Sequence, residues 1–340
     1  MLACFLDGPK KVRVKDVAVP NLAPGDILVR MEASGICGTD LEKIEGQLGP
    51  GGILGHEVSG TIESVAKDVA RYKPGDRVVA HHHVPCYQCA DCSGGDFTLC
   101  AEFKKTNLDP CGFAEYFRVP EYNVARGSVV PLPSDLSFEE GAMMEPTACC
   151  IRAIRRAQVK GADNVLIAGL GPTGLTQIAL LRQATTGKIV GSDIIDARLR
   201  LGKKLGADET INALTEDVPA HVRKVAGEGI DLAIVSTGNE KALNQAFSSV
   251  RKGGRILLFG APSHGASYQL NVSELFSRQI TLLSSYSCVE SEIAEAVRLV
   301  SEKRLDLKCL VSDRFKLRDA EKAMEFAKTS KTAIKTMVLA

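Results

Sequence analysis

Short apolar runs broken by Pro-Gly turns fill residues 1–147. Asp26-Ile27-Leu28-Val29-Arg30 and Asp76-Arg77-Val78-Val79-Ala80 each follow a Pro-Gly pair. Runs of this length, bounded by turn residues, predict many short strands in a barrel-like domain. Ser137 and Glu140 have the spacing of a capping box, which predicts a helix running towards Glu145 with Pro146 at its end.

From residue 148 the pattern changes to alternating strands and helices. Asn164–Ala168, Lys188–Asp193, Asp231–Val235, Arg255–Phe259 and Ile280–Leu283 read as buried strands. Leu175–Ala184 and Arg198–Leu205 have helical character. Such alternation predicts a parallel doubly wound sheet. Two amphipathic helices follow, near Glu292–Glu302 and Asp319–Lys328, and then an apolar tail ending Met337-Val338-Leu339-Ala340.

A length of 340 residues fits two domains. The chain is 45% apolar and 24% charged, with a net charge of +1. These values are those of a globular protein and lack the basic excess of a nucleic-acid or membrane-surface binder. No apolar run approaches the roughly 18–20 residues that span a bilayer, and the N-terminus reads into a strand rather than a secretion signal. Of the eleven cysteines, four cluster between Cys86 and Cys100. A local cluster in a long chain fits metal binding in a reducing compartment better than a disulfide scaffold, so a cytoplasmic location is expected.

Gly169-Leu170-Gly171-Pro172-Thr173-Gly174 has the spacing G-x-G-x-x-G, between a predicted strand and a predicted helix. The glycines permit a tight turn and close approach to a pyrophosphate, which the helix N-terminus attracts. Asp193 ends the next strand, where a carboxylate hydrogen-bonds ribose hydroxyls and repels the extra phosphate of NADP. NAD is therefore expected. Thr173 lies within this turn, and Arg198 is a candidate near the adenosine ribose. Cys86, Cys89, Cys92 and Cys100 form C-x2-C-x2-C-x7-C, a closed thiolate set for a structural zinc. Gly35-Ile36-Cys37-Gly38-Thr39-Asp40, Gly55-His56-Glu57 and Glu145-Pro146 offer a thiolate, an imidazole and carboxylates, the ligand types a catalytic zinc takes.

Together, in this order, these motifs resemble the zinc-containing medium-chain dehydrogenase family across essentially the whole chain. Gly75-Asp76-Arg77-Val78 and Gly112-Phe113-Ala114-Glu115-Tyr116 also look like family landmarks. The resemblance implies an α/β protein: a GroES-like β-barrel catalytic domain plus a Rossmann doubly wound parallel sheet. It implies a catalytic domain at 1–147 with a structural-zinc lobe at about 84–102, an NAD-binding domain at 148–284, and a return to the first domain at 285–340. Two zinc ions per chain are implied. The catalytic one is carried over to Cys37, His56 and Glu57, with Glu145 as an exchangeable fourth ligand. The two glutamates resemble the sorbitol and threonine dehydrogenase branch. The implied reaction takes hydride from a secondary alcohol of a polyol, sugar or cyclitol to NAD, with zinc as Lewis acid and Thr39 relaying the proton. A homotetramer or dimer is implied.

Some positions depart from the family pattern. Glu42 stands where the branch commonly has histidine. His83, three residues before Cys86, matches an active-site histidine of threonine dehydrogenases and is a candidate for substrate contact. Adjacent side chains in a strand alternate faces, so at most His81 and His83 point the same way, and the three-histidine run also reads as a plain surface strand. Cys111 replaces a glycine, and Cys149 and Cys150 read as packed small residues. No substrate-binding Arg or Lys stands out near these motifs, which disfavours a phosphorylated or acidic substrate. L-threonine 3-dehydrogenase, a zinc-free reductase of the same fold and a non-catalytic zinc-stabilised binding protein remain as alternatives.

Overall fold

A computed structural model describes residues 1–8, 10–47 and 53–340. The chain divides into two compact units, one made of Met1–Ala148 and Ser287–Ala340, the other of Cys149–Tyr286.

The first unit is built on a sheet whose central strand, Ile27–Gly35, pairs antiparallel with Glu57–Val65, Tyr116–Val119 and Lys335–Leu339. The sheet extends through Arg77–Ala80 to Val129–Pro131 on one side and to Val311–Lys316 on the other. Apolar side chains of these strands, among them Val29, Met31, Val58, Ile62, Val78, Phe117 and Val338, close a core with Phe113. The short β runs of the sequence become this sheet. The apolar tail is its strand Lys335–Leu339, set between Val311–Lys316 and Ile27–Gly35. The register places Gly35 opposite both Glu57 and Met337. Cys37, Glu57 and Lys335 thereby gather at one end of the sheet.

One sequence expectation is corrected here. Ser137 and Glu140 do form a reciprocal cap, with the Ser137 N–H donating to Glu140 Oε2 at 2.9 Å and the Glu140 N–H to Ser137 Oγ at 3.2 Å. The helix they cap, Phe138–Ala142, stops early, and a new helix, Met144–Arg156, runs through Pro146. Proline is harmless there because the first-turn N–H groups have no helical acceptor to lose.

The second unit holds a six-stranded parallel sheet in the order Glu209–Asn212, Ile189–Asp193, Val165–Ala168, Ile230–Val235, Val250–Leu258, Thr281–Ser284. Numbered along the chain from Val165, that order is 3-2-1-4-5-6, the doubly wound arrangement. Leu166, Val190, Ile211, Ala233 and Ile256 lie in its core. Strand Glu209–Asn212 and helices Val218–Ala226 and Glu240–Ser249 complete the alternation where the hydrophobic pattern singled out nothing. Among the described residues no helix is long and apolar enough to cross a membrane.

Candidate active site and metal centres

Cys37 precedes the helix Gly38–Ile44, and His56 and Glu57 begin the strand next to it. Their ligand atoms lie within 4.8 Å of one another. A thiolate, an imidazole and a carboxylate at that spacing fit a zinc ion with its fourth position open. The fully buried Asp40 holds the set together. Its Oδ2 accepts the Cys37 N–H and its Oδ1 the Gly55 N–H, both at 3.0 Å, and its Oδ1 stands 3.5 Å from His56 Nδ1. A carboxylate behind the far nitrogen orients a metal-binding imidazole, which leaves Nε2 for the ion. Burial disfavours charge on both Asp40 and His56. Their mutual attraction nevertheless holds the Asp40 carboxyl below its usual range and, with Cys37, holds the imidazole well above its own. Thr39 Oγ1 is 3.4 Å from His56 Nε2, on the ligand side of the ring. Gly55 has φ +75°, and a Cβ there would lie 2.8 Å from the Phe113 backbone nitrogen. The Gly-His-Glu turn thus requires glycine.

Glu57 is 1% exposed and paired with Lys335, itself 2% exposed; Lys335 Nζ donates to Glu57 Oε2 at 2.5 Å and to the Ile36 carbonyl at 3.1 Å. Burial works against the ammonium, but Glu57 and Cys37 hold its pKa above the usual lysine value. Sequence reasoning missed Lys335. Its signal was a lone cation in an apolar tail.

Glu145 groups differently from the expectation. Its carboxylate, the His81 imidazole and the Cys288 thiol form a separate trio within 4.8 Å, and all three are buried. The fourth-ligand role carried over to Glu145 has no such grouping with Cys37, His56 and Glu57. The three consecutive histidines point to three different places. His81 faces Cys288, the His82 ring lies 4.9 Å from that of His56 and tilted 44° to it, and His83 Nδ1 bonds the Thr106 carbonyl at 2.7 Å. They lie beyond the end of strand Arg77–Ala80, so strand alternation does not govern them. His82 is the one beside the His56 imidazole. Burial, aided by neighbouring imidazoles, pushes His81 down to about 3 and His83 down to about 4, which leaves both neutral at pH 7. Glu42 is half-buried with Oε2 unpartnered, and burial raises its pKa.

The Cys86, Cys89, Cys92 and Cys100 ligand atoms also lie within 4.8 Å of one another. Sulfur separations are 4.0 Å for Cys86–Cys92 and 3.6 Å for Cys89–Cys92, close to the about 3.8 Å edge of a zinc–thiolate tetrahedron. The Gln88 N–H donates to Cys86 Sγ and helps pull that thiol down to about 6. The lobe's own apolar contacts are few, centred on Phe103 and Val289. All eleven cysteines are free thiols. Cys111 is a packed one, its thiol donating to the Cys4 carbonyl.

In the second unit the Gly169–Gly174 turn leads from strand Val165–Ala168 into helix Pro172–Ala184. A Cβ at Gly174 would sit 2.0 Å from the Gly169 carbonyl oxygen, while nothing lies within 4 Å of one at Gly171. The turn is closed on the strand side and open above the helix N-terminus, as a pyrophosphate cradle requires. Asp193 Oδ2 accepts the Leu170 N–H at 2.7 Å, and Oδ1 accepts those of Ile194 and Ile195. Arg198 approaches Asp193 to 3.9 Å.

Residues 23–134 match the family model described as alcohol dehydrogenase GroES-like domain, and residues 172–302 match that described as zinc-binding dehydrogenase. A sorbitol dehydrogenase of Bacillus subtilis is 30% identical over 99% of this chain and 97% of its own length. An L-threonine 3-dehydrogenase of Pyrococcus abyssi is 31% identical over 93% of this chain and 92% of its own. The crystal structure of a putative zinc-binding dehydrogenase from Sinorhizobium meliloti bound to NADP superposes with a TM-score of 0.89 at 27% identity, covering 100% of this chain and 99% of that one.

Proposed function

Because this chain belongs to the zinc-containing medium-chain dehydrogenase family, we propose that it oxidises a secondary alcohol of a polyol, sugar or cyclitol to the ketone or lactone with NAD. The observation that carries the reading is the Cys37–His56–Glu57 trio, in one chain with an intact dinucleotide turn. Zinc held by the trio supplies a Lewis acid that makes a bound hydroxyl more acidic. Thr39 Oγ1, beside His56 Nε2, accepts the hydroxyl proton and passes it on. Asp40 keeps the imidazole turned, and Lys335 fixes the Glu57 carboxylate through one oxygen. Glu145 serves as an exchangeable fourth ligand. His83 and Glu42 offer hydrogen bonds to further substrate hydroxyls. The Gly169–Gly174 turn binds the pyrophosphate, and Asp193, with Arg198 beside it, takes the ribose and disfavours NADP. A second reading, L-threonine oxidation, is favoured by the match of His83 to that branch.

We place the protein in the cytoplasm, supported by its eleven free thiols. We propose a homodimer or tetramer, supported by exposed apolar side chains along the last helix and edge strand of the parallel sheet, Val272, Phe276 and Leu282.

NADH formation across sugar alcohols, cyclitols, aldoses, butanediol and threonine, each with NAD and NADP, tests the reading. Turnover of a polyol or sugar with NAD, abolished in Cys37→Ala and reduced at least a hundredfold in Thr39→Ala, is expected. Turnover of threonine alone moves the assignment to the second reading. Silence with a single zinc per chain overturns both.

A further inference from the structure

Three buried groups outside the Cys37 trio converge from distant parts of the first unit. His81 follows strand Arg77–Ala80, Glu145 lies in the first turn of helix Met144–Arg156, and Cys288 precedes helix Glu290–Ser301. His81 and Cys288 are 0% exposed and Glu145 is 5% exposed. Cys288 Sγ stands 3.8 Å from His81 Nε2 and 4.0 Å from Glu145 Oε1. In a zinc tetrahedron the sulfur–nitrogen and sulfur–oxygen edges are about 3.6 Å. The four-cysteine lobe of the same chain departs from its ideal edge by a similar few tenths of an ångström. The sulfur edges of the second trio thus lie within a few tenths of an ångström of a zinc edge, and all three ligand atoms lie within 4.8 Å of one another. Its donors, one thiolate, one imidazole and one carboxylate, are the same set as Cys37, His56 and Glu57.

We propose that His81, Glu145 and Cys288 form a third metal position, taking a thiophilic divalent cation such as zinc, whose occupation withholds Glu145 from the catalytic trio. Binding releases the Cys288 thiol proton to solvent, since the thiolate is the ligand. The position fills only after the two tighter sites, because it competes for a carboxylate that the first reading assigns elsewhere. Excess zinc then slows turnover by removing the exchangeable ligand. This second half rests on the role of Glu145 in the proposed reaction, whereas the metal position itself does not.

The holoenzyme is equilibrated with zinc buffered at rising free concentration, and bound zinc per chain is counted by native mass spectrometry. Three equivalents are expected in the wild type, two in Cys288→Ala and Cys288→Ser, and three in Cys309→Ala, which controls for other thiols. Two variants are used at 288 so that a packing defect in one does not decide the result. Two equivalents in the wild type at saturation, or a third that survives loss of Cys288, overturns the site. No substrate enters this count, so it stands or falls apart from the polyol assignment. Where turnover is measurable, excess zinc should slow the wild type severalfold and leave Cys288→Ala unaffected. Equal slowing of both overturns the withholding of Glu145.

Discussion

At the scale of single residues, the most consequential contact is the buried pair Lys335–Glu57. Removing one partner of such a pair strands the other charge without water, at a cost of about 3–5 kcal/mol. Lys335→Met is therefore expected to lower the stability of the metal-stripped protein by that order in urea unfolding, and to weaken zinc retention at the Cys37 trio. Lys335→Arg should recover part of both. The buried thiols give a pH dependence. Burial pushes Cys4 and Cys111 up to about 12 from an unfolded value near 9. Between those pH values the folded chain keeps protons that the unfolded chain has lost, so stability is complete below pH 9 and falls as pH rises towards 12. The thermal midpoint should drop across that window in the wild type and drop less in Cys111→Ala. Some of the site was legible in the residues. Cys37, His56 and Glu57 stand in short motifs whose glycines betray tight geometry. Lys335, His82 and Cys288 carry no such motif, because they reach the site only through sheet pairing and the returning chain.

At the scale of elements, local chemistry and tertiary context divide the credit. The glycine turn was readable because a strand, a tight turn and a helix follow one another within a few residues. Its demand is steep: Gly174→Ala sets a Cβ 2.0 Å from the Gly169 carbonyl. That variant should keep a folded second unit by circular dichroism and lose NADH binding at least tenfold in a fluorescence titration. Pro146 was misread because proline marks helix ends and first turns alike, and only the adjoining helix Phe138–Ala142 tells which. The strand Glu209–Asn212 escaped notice because its short sequence, Glu-Thr-Ile-Asn, holds one fully buried apolar side chain. Its pairing with Ile189–Asp193 makes it a strand. The cysteine lobe is the opposite case. With so little core of its own it would rely on a metal held by the four thiolates, so Cys89→Ala should cost one zinc per chain and open residues 84–102 to limited proteolysis.

At the scale of the whole molecule, alternation of strands and helices named the doubly wound sheet, while the first unit's sheet around Ile27–Gly35 needed partners far apart in sequence. The exposed edge of the parallel sheet is the surface proposed above for assembly. Phe276 is 81% exposed, and Phe276→Asp should reduce the mass measured by light scattering by half or more without unfolding the chain. The strand Lys335–Leu339 has a consequence for biosynthesis. It sits inside the first unit's sheet, beside a strand that leaves the ribosome some three hundred residues earlier. During translation Cys37, His56 and Glu57 emerge long before Lys335, so in the nascent chain Glu57 is without the ammonium that pairs with it in the folded sheet. Only when the late strand docks against Ile27–Gly35 do sheet and buried ion pair close together.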